Sequence, residues 1–179
     1  MTINSPFVLW FTGLSGAGKT TLSQAIWDYL KAQDLKRIDI LDGDVIRTNL
    51  SKGLGFSKED RDTNILRVGW VAQRLFSHDV SCLVSVISPY TNIRQKVRDS
   101  IGKGFIEIFM SASLEECEKR DPKGLYQKAR QGVLKGFTGI DDPYENPVNP
   151  ELSIDSSKMS VDDGLNLVIN YLKDNRYLV

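Results

Sequence analysis

Val8-Leu9-Trp10-Phe11 leads within two residues into Gly13-Leu14-Ser15-Gly16-Ala17-Gly18-Lys19-Thr20, and this junction decides the fold. The first part is a short apolar run, consistent with a buried strand. The second fits Gly, four variable residues, Gly, Lys, then Ser or Thr. Beyond it, Leu22, Ala25, Ile26 and Tyr29 recur at helical spacing. Strand, glycine-rich loop and helix in that order are the context a Walker A match needs before it counts. Gly13, Gly16 and Gly18 permit backbone angles and close approaches that a Cβ forbids. Successive N–H groups can then turn inward as an anion nest. The helix behind them adds its positive end. Lys19 supplies a full charge for the β- and γ-phosphates, and the Thr20 hydroxyl is a candidate Mg²⁺ ligand.

The whole chain sets bounds on what such a loop serves. Its 179 residues correspond to one ordinary domain, 1–179, long enough to bury a proper core. Twenty-three basic and 23 acidic residues cancel, which argues against a broad electrostatic footprint for nucleic acid or an anionic membrane. No apolar run approaches membrane-spanning length. Met1 to Pro6 lacks the basic and apolar regions of a signal peptide. Cys82 and Cys117 stand far apart in apolar settings, so no disulfide framework is expected. With His78 as the only histidine, they make a poor zinc set, and His78 reads as a surface residue at a helix end. A soluble cytoplasmic protein is the expectation.

Outward from the loop, the first helix is expected over Lys19 to Ala32 and a second strand over Arg37 to Leu41. That strand ends in Asp42-Gly43-Asp44, where open α/β sheets place their ligands. A polar segment, Thr48 to Phe56, precedes a helix capped by Ser57, with Asp60 three residues on, running to about His78. Arg61, Asn64, Ile65 and Val68 share one face of it. Ser81 to Ile87 is nearly continuous in apolar residues, as in a strand buried on both faces. Pro89 stops it and leaves Ser88 at its tip. A helix over Asn92 to Ile101, a strand over Phe105 to Met110 and a short helix to Arg120 follow. Ser113 and Glu116 read as the capping box of that short helix. Residues 121–150, rich in Gly, Pro and Lys, break the alternation and read as a lid. A fifth strand at Leu152 to Asp155 and a helix over Val161 to Leu172, capped by Ser160, complete the chain. Strands alternating with helices predict an α/β fold: a P-loop NTPase-type, doubly wound, five-stranded parallel sheet flanked by helices, with a lid segment.

A Walker A loop serves kinases, GTPases and motors alike. The chain is short for most motors, and no Asn-Lys-x-Asp guanine-reading element follows a strand. A lid carrying several cations suits phosphoryl transfer between two small ligands. Closing it excludes water as a competing acceptor and gathers charge on the transferring group.

Five further blocks now join the loop. They are Asp42-Gly43-Asp44 with Arg47, Phe56-Ser57-x-Glu59-Asp60-Arg61 followed by Asn64-Ile65, Ile87-Ser88-Pro89-Tyr90, Asp121-Pro122-Lys123-Gly124-Leu125-Tyr126, and Lys135-Gly136-Phe137-Thr138-Gly139-Ile140-Asp141-Asp142-Pro143-Tyr144-Glu145. In this order the chain resembles the adenylylsulfate kinases over about residues 7 to 155. The resemblance implies transfer of the ATP γ-phosphoryl to the 3′-hydroxyl of adenosine 5′-phosphosulfate in sulfate assimilation. ATP is then the co-substrate, adenylylsulfate the acceptor and Mg²⁺ the cofactor, with a homodimer as the family's common assembly. Gly13, Leu14, Ser15, Gly16, Ala17, Gly18, Lys19, Thr20 and Thr21 are implied to hold ATP, with Thr20 on the metal. Lys19, Asp44 and Ser88 are implied catalytic residues, Asp44 as base or orienter of the acceptor hydroxyl. Ser88 matches a serine assigned in the family as a phosphoserine intermediate. Asp42, Asp44, Arg47, Arg61, Asn64 and Ser88 are implied on the acceptor. Phe56 and Phe137 are implied to sandwich its adenine, and Lys123, Lys135 and Gly136 belong to the lid blocks around it.

The chain departs from the family pattern at Val45 and Thr48, where Asn and His are common. It departs again at Leu66 and at Thr91, where Arg is common. These positions bear on acceptor affinity. Two alternatives stand beside the resemblance: another small-molecule P-loop kinase, which the Phe137-to-Tyr144 block argues against, and a nucleotide-dependent binding module without turnover, which intact Lys19, Thr20 and Asp44 argue against.

Overall fold

The computed structural model describes residues 1–179. Five strands, β1 (Val8–Thr12), β2 (Ile38–Asp42), β3 (Ser81–Ser85), β4 (Phe105–Met110) and β5 (Leu152–Ile154), form one sheet. Their order is β2-β3-β1-β4-β5, and every pairing is parallel. Each parallel step needs a crossover, and the helices supply them. They are α1 (Lys19–Ala32), α2 (Gly43–Thr48), α3 (Lys58–Phe76), α4 (Thr91–Ile101), α5 (Leu114–Arg120), α6 (Leu125–Arg130) and α7 (Val161–Asp174). This is the doubly wound sheet the sequence predicts.

The strand period of two sorts side chains to opposite faces. From β1 and its lead-in, Phe7, Leu9 and Phe11 enter a core with Leu22, Ile26 and Leu30 of α1 and Val168, Ile169 and Leu172 of α7. Val8 and Trp10 enter the other core, with Ile65, Val68 and Ala72 of α3 and Ile93, Val97 and Ile101 of α4. Because β1 is buried on both faces, it reads as an unbroken apolar run. The loop after β1 leads to a helix on one face and the loop after β3 to a helix on the other. Between the C-terminal ends of these neighbouring strands lies the topological switch point, where such sheets bind ligands.

Capping chemistry sets most helix starts. Ser57 accepts from the Asp60 N–H. At α7, Ser160 and Asp163 form the full reciprocal box. At α5 only half of the expected box exists: Ser113 accepts from the Glu116 N–H. The Glu116 carboxylate instead pairs with Arg120 one turn on, 3.0 Å away. One strand ends earlier than its apolar run suggests. β3 stops at Ser85, because Val86 to Pro89 peel away to form the turn at the switch point. The Asp42-Gly43-Asp44 corner opens a short helix: Asp42 caps the six-residue α2 by accepting from the Asp44 N–H at 2.9 Å.

Candidate active site

Gly13 adopts φ +146°, and a Cβ there would stand 2.6 Å from the Met110 carbonyl oxygen. The loop therefore lies against the end of β4 as only glycine allows. Gly18 opens α1 in the left-handed region with no side-chain cap. The first-turn N–H groups of α1 thus keep their capacity for an anion. The Lys19 ammonium donates to the carbonyls of Gly13 and Leu14 at 2.9 and 2.7 Å. Burial lowers its pKa from 10.5 to about 8.

Across the crevice, the Thr20 hydroxyl donates to Asp42 Oδ2 at 2.9 Å. A hydroxyl and a carboxylate side by side are hard oxygen donors of the kind Mg²⁺ takes alongside waters and phosphate. The residues therefore fit that ion. Asp42 does two jobs, capping α2 and facing Thr20. Asp44, mostly exposed, forms an ion pair with Lys123 from the 121–150 segment.

Ser88 sits at the switch point with φ +41°, an uncommon backbone state for a residue with a Cβ. Its hydroxyl accepts from the Trp10 indole N–H at 3.1 Å and donates to Thr12 Oγ1 at 3.0 Å. Its carbonyl accepts from Arg94 at 2.6 Å. No carboxylate or imidazole hydrogen-bonds the Ser88 hydroxyl.

The remaining predicted acceptor residues gather on α2, α3 and the turn after α6. Arg47 lies 4.9 Å over the ring of Phe56, which is 62% exposed. Arg61, buried, donates to the Phe56 carbonyl at 2.9 Å. It also donates to the Gly136 carbonyl, the Thr138 hydroxyl and Asp142. Asn64 is buried, and its Oδ1 has no hydrogen-bond partner. Phe137 is buried with its ring edge-on to Tyr126 at 4.9 Å.

A cleft of about 730 Å³ brings together Lys19, Thr20, Asp42, Asp44, Arg47, Phe56, Arg61, Asn64, Ser88, Lys123 and Phe137. Ser15, Gly16, Gly18 and Thr21 line it as well. Five predicted residues do not line it. Gly13, Leu14 and Ala17 act through backbone, two of them as the carbonyls that hold Lys19. The Lys135 side chain is exposed and does not line the cleft. The turn buries Phe137 and Thr138 and leaves Lys135 outside. Gly136 likewise misses the cleft, and what it contributes is the carbonyl that Arg61 holds.

Three residues take part in the site without a role assigned to them from the sequence, Tyr126 among them although it closes the Asp121-to-Tyr126 block. Arg120 lines the cleft and donates to the Gly16 carbonyl at 3.2 Å and to Ser156. The Tyr126 hydroxyl donates to the Ser15 carbonyl at 2.9 Å. Arg94 bridges Ser88 and the Glu145 carbonyl. Each looks locally ordinary: an i,i+4 partner of Glu116, an aromatic in a short helix, a cation on an amphipathic helix. Only pairings distant in sequence reveal them.

The family model described as adenylylsulphate kinase matches residues 5–155. The adenylyl-sulfate kinase of a Picosynechococcus species is 56% identical over 170 residues, 95% of each chain. Among solved structures, the Mycobacterium tuberculosis APS kinase CysC in complex with AMPPNP and APS superposes with a TM-score of 0.88 at 40% identity. That match covers 94% of this chain and 98% of the other. A hexameric APS kinase from Thiobacillus denitrificans matches with a TM-score of 0.75 at 32% identity, over 98% of this chain and 30% of that one.

Proposed function

The chain belongs to the adenylylsulphate kinase family, and from that premise we propose that it transfers the γ-phosphoryl group of ATP to the 3′-hydroxyl of adenosine 5′-phosphosulfate. The products are ADP and 3′-phosphoadenylylsulfate. Donor and acceptor determinants share one cleft, with Lys19 and Thr20 beside Arg61, Asn64 and Phe56, and that observation carries the assignment.

Lys19 and the N-terminal N–H groups of α1 bind the β- and γ-phosphates. Thr20 and Asp42 would hold Mg²⁺, which would supply charge neutralisation on the phosphates. Asp44 orients the acceptor hydroxyl and accepts its proton. Lys123, now paired with Asp44, is placed to trade that carboxylate for the transferring phosphoryl group. Phe56 and Phe137 stack on the acceptor adenine, Arg47 steadies Phe56, and Asn64 Oδ1 offers an unmatched acceptor to that nucleotide. Arg61 shapes the subsite by holding the 136–142 turn. Residues 121–150 act as the lid. Transfer is direct and in line: phosphoryl transfer needs positioning and charge stabilisation more than a nucleophile on the enzyme. Ser88 has Trp10 and Thr12 as partners and no base to activate it.

No helix is long and apolar enough to cross a membrane. The protein acts in the cytoplasm on these two small-molecule substrates, and the family resemblance favours a homodimer, a point sedimentation equilibrium decides. The assignment itself is tested with a coupled ADP-release assay in Mg²⁺. Turnover should depend on adenylylsulfate, with 3′-phosphoadenylylsulfate resolved chromatographically. ADP release that is indifferent to adenylylsulfate would remove it.

A further inference from the structure

Tyr126 belongs to α6, in the 121–150 segment, and is only 2% exposed. Two contacts tie it to different parts of the chain. Its hydroxyl donates to the Ser15 carbonyl in the phosphate loop at 2.9 Å. Its ring meets Phe137 at 4.9 Å with the planes at 88°, an edge-to-face geometry that adds to simple burial.

Neither end is free to slip. The Asp121 carboxylate accepts from the N–H groups of Tyr126 and Gln127 at 3.1 and 3.0 Å, fixing the start of α6. The Phe137 N–H donates to Asp141, and the neighbouring Gly136 carbonyl is held by Arg61. Ser15 and Phe137 both line the cleft, one beside the donor loop and one on the acceptor side. Tyr126 itself does not line it, so it is placed to act through these neighbours.

We propose that Tyr126 is a positioning residue that couples occupancy of the phosphate loop to the acceptor-nucleotide subsite, through its hydroxyl on Ser15 and its ring on Phe137. The inference rests on the kinase assignment above. A nucleotide that orders the loop fixes the Ser15 carbonyl, which fixes the Tyr126 ring and with it the wall formed by Phe137. The second ligand then has less ordering left to supply, which appears as positive coupling. By linkage the same factor must appear whichever ligand is titrated second.

The test is a calorimetric cycle on the full chain. Adenylylsulfate is titrated with and without Mg²⁺ and a non-hydrolysable imido analogue of ATP, for the wild type and for Tyr126→Phe. In the wild type the analogue should tighten adenylylsulfate binding by about fivefold or more. In Y126F, which keeps the ring and loses the hydroxyl, that factor should fall below about twofold, while the analogue's own affinity changes by less than about threefold. A merely structural role would lower the melting temperature and weaken both ligands in parallel, leaving the ratio intact. Unchanged coupling in Y126F, or no coupling in the wild type, overturns the proposal. Failure of the wild type to bind adenylylsulfate under either condition overturns the kinase assignment instead. Tyr126→Leu adds a second arm: removing the ring should abolish coupling and also weaken adenylylsulfate alone, because Phe137 loses its backing. If that variant does not fold, Y126F still decides.

Discussion

Lys19 is a buried ammonium whose only hydrogen-bond partners are two carbonyl dipoles. That is an unstable arrangement for a charge and a good one for a phosphate ligand. Lys19→Ala should leave the melting temperature unchanged or raised and lower kcat by about 10²–10³-fold, the scale of losing one preorganised charge-stabilising donor. Near-normal turnover would remove the role. The lowered pKa makes a second prediction. An amine held below its ordinary value costs stability while protonated. The cost is full below about pH 8 and disappears as pH rises towards 10.5. Bound phosphate favours the protonated form, so nucleotide binding at pH 9 should take up about one proton, and at pH 6 almost none from this group. Titrations in buffers of different ionisation enthalpy read this directly, and the absence of uptake at pH 9 would refute it. Ser88→Ala probes the reaction course. Losing its two hydrogen bonds should slow turnover by about ten- to a hundredfold without abolishing it. A chiral γ-phosphorus should emerge inverted, as a single displacement requires. Retention would make Ser88 a covalent carrier.

At the scale of elements, α3 and the 136–142 turn meet through Arg61. One guanidinium holds the Gly136 carbonyl, the Thr138 hydroxyl, Asp142 and the Phe56 carbonyl. Arg61→Ala should therefore weaken adenylylsulfate by about ten- to a hundredfold, about 1.4–2.7 kcal/mol, while ATP changes little. Equal losses for both ligands in calorimetry would refute the assignment of this turn to the acceptor. Arg61 and Asn64 were legible as neighbours on one helix face because helical period is local. The same holds for the Ser57 and Ser160 caps and for the apolar run Val8 to Phe11 of β1. What Arg61 touches was not legible, since its partners lie far along the chain. Nor was the outward placement of Lys135 legible: a motif marks that a segment matters, but the turn decides which side chain faces in. The Asp42-Gly43-Asp44 corner was legible as a ligand site but not as a helix start, because α2 is too short for periodicity to register.

Across the whole molecule, the two apolar cores lie on opposite faces of the sheet, and the charges near its far edge are organised around Glu107. This residue points from β4 toward α4, into the face otherwise filled by Val8, Trp10 and Phe105. Arg94 Nε stands 2.9 Å from Glu107 Oε1, with both side chains at least nine-tenths buried. The pair is close but poorly aligned, and Oε1 has no true hydrogen bond. Arg98 reaches Glu107 at 3.2 Å and grips Glu151 with both nitrogens. Arg94 also holds the carbonyls of Ser88 and Glu145, so the switch-point turn and the chain leaving the 121–150 segment hang from the same guanidinium. Removing one charge of such a buried pair leaves the other uncompensated, a cost of about 3–5 kcal/mol. Glu107→Ala should accordingly lower the melting temperature by about 6–20 °C for a chain of this size. Replacing both partners, Arg94→Met with Glu107→Leu, should recover much of that stability, because well-packed apolar substitutes avoid the desolvation cost. It should not recover activity, since the Ser88 and Glu145 carbonyls lose their common donor. Thermal melts and turnover of the same two variants separate these effects. If the double variant regains stability and rate together, Arg94 is a buried charge with no part in shaping the site.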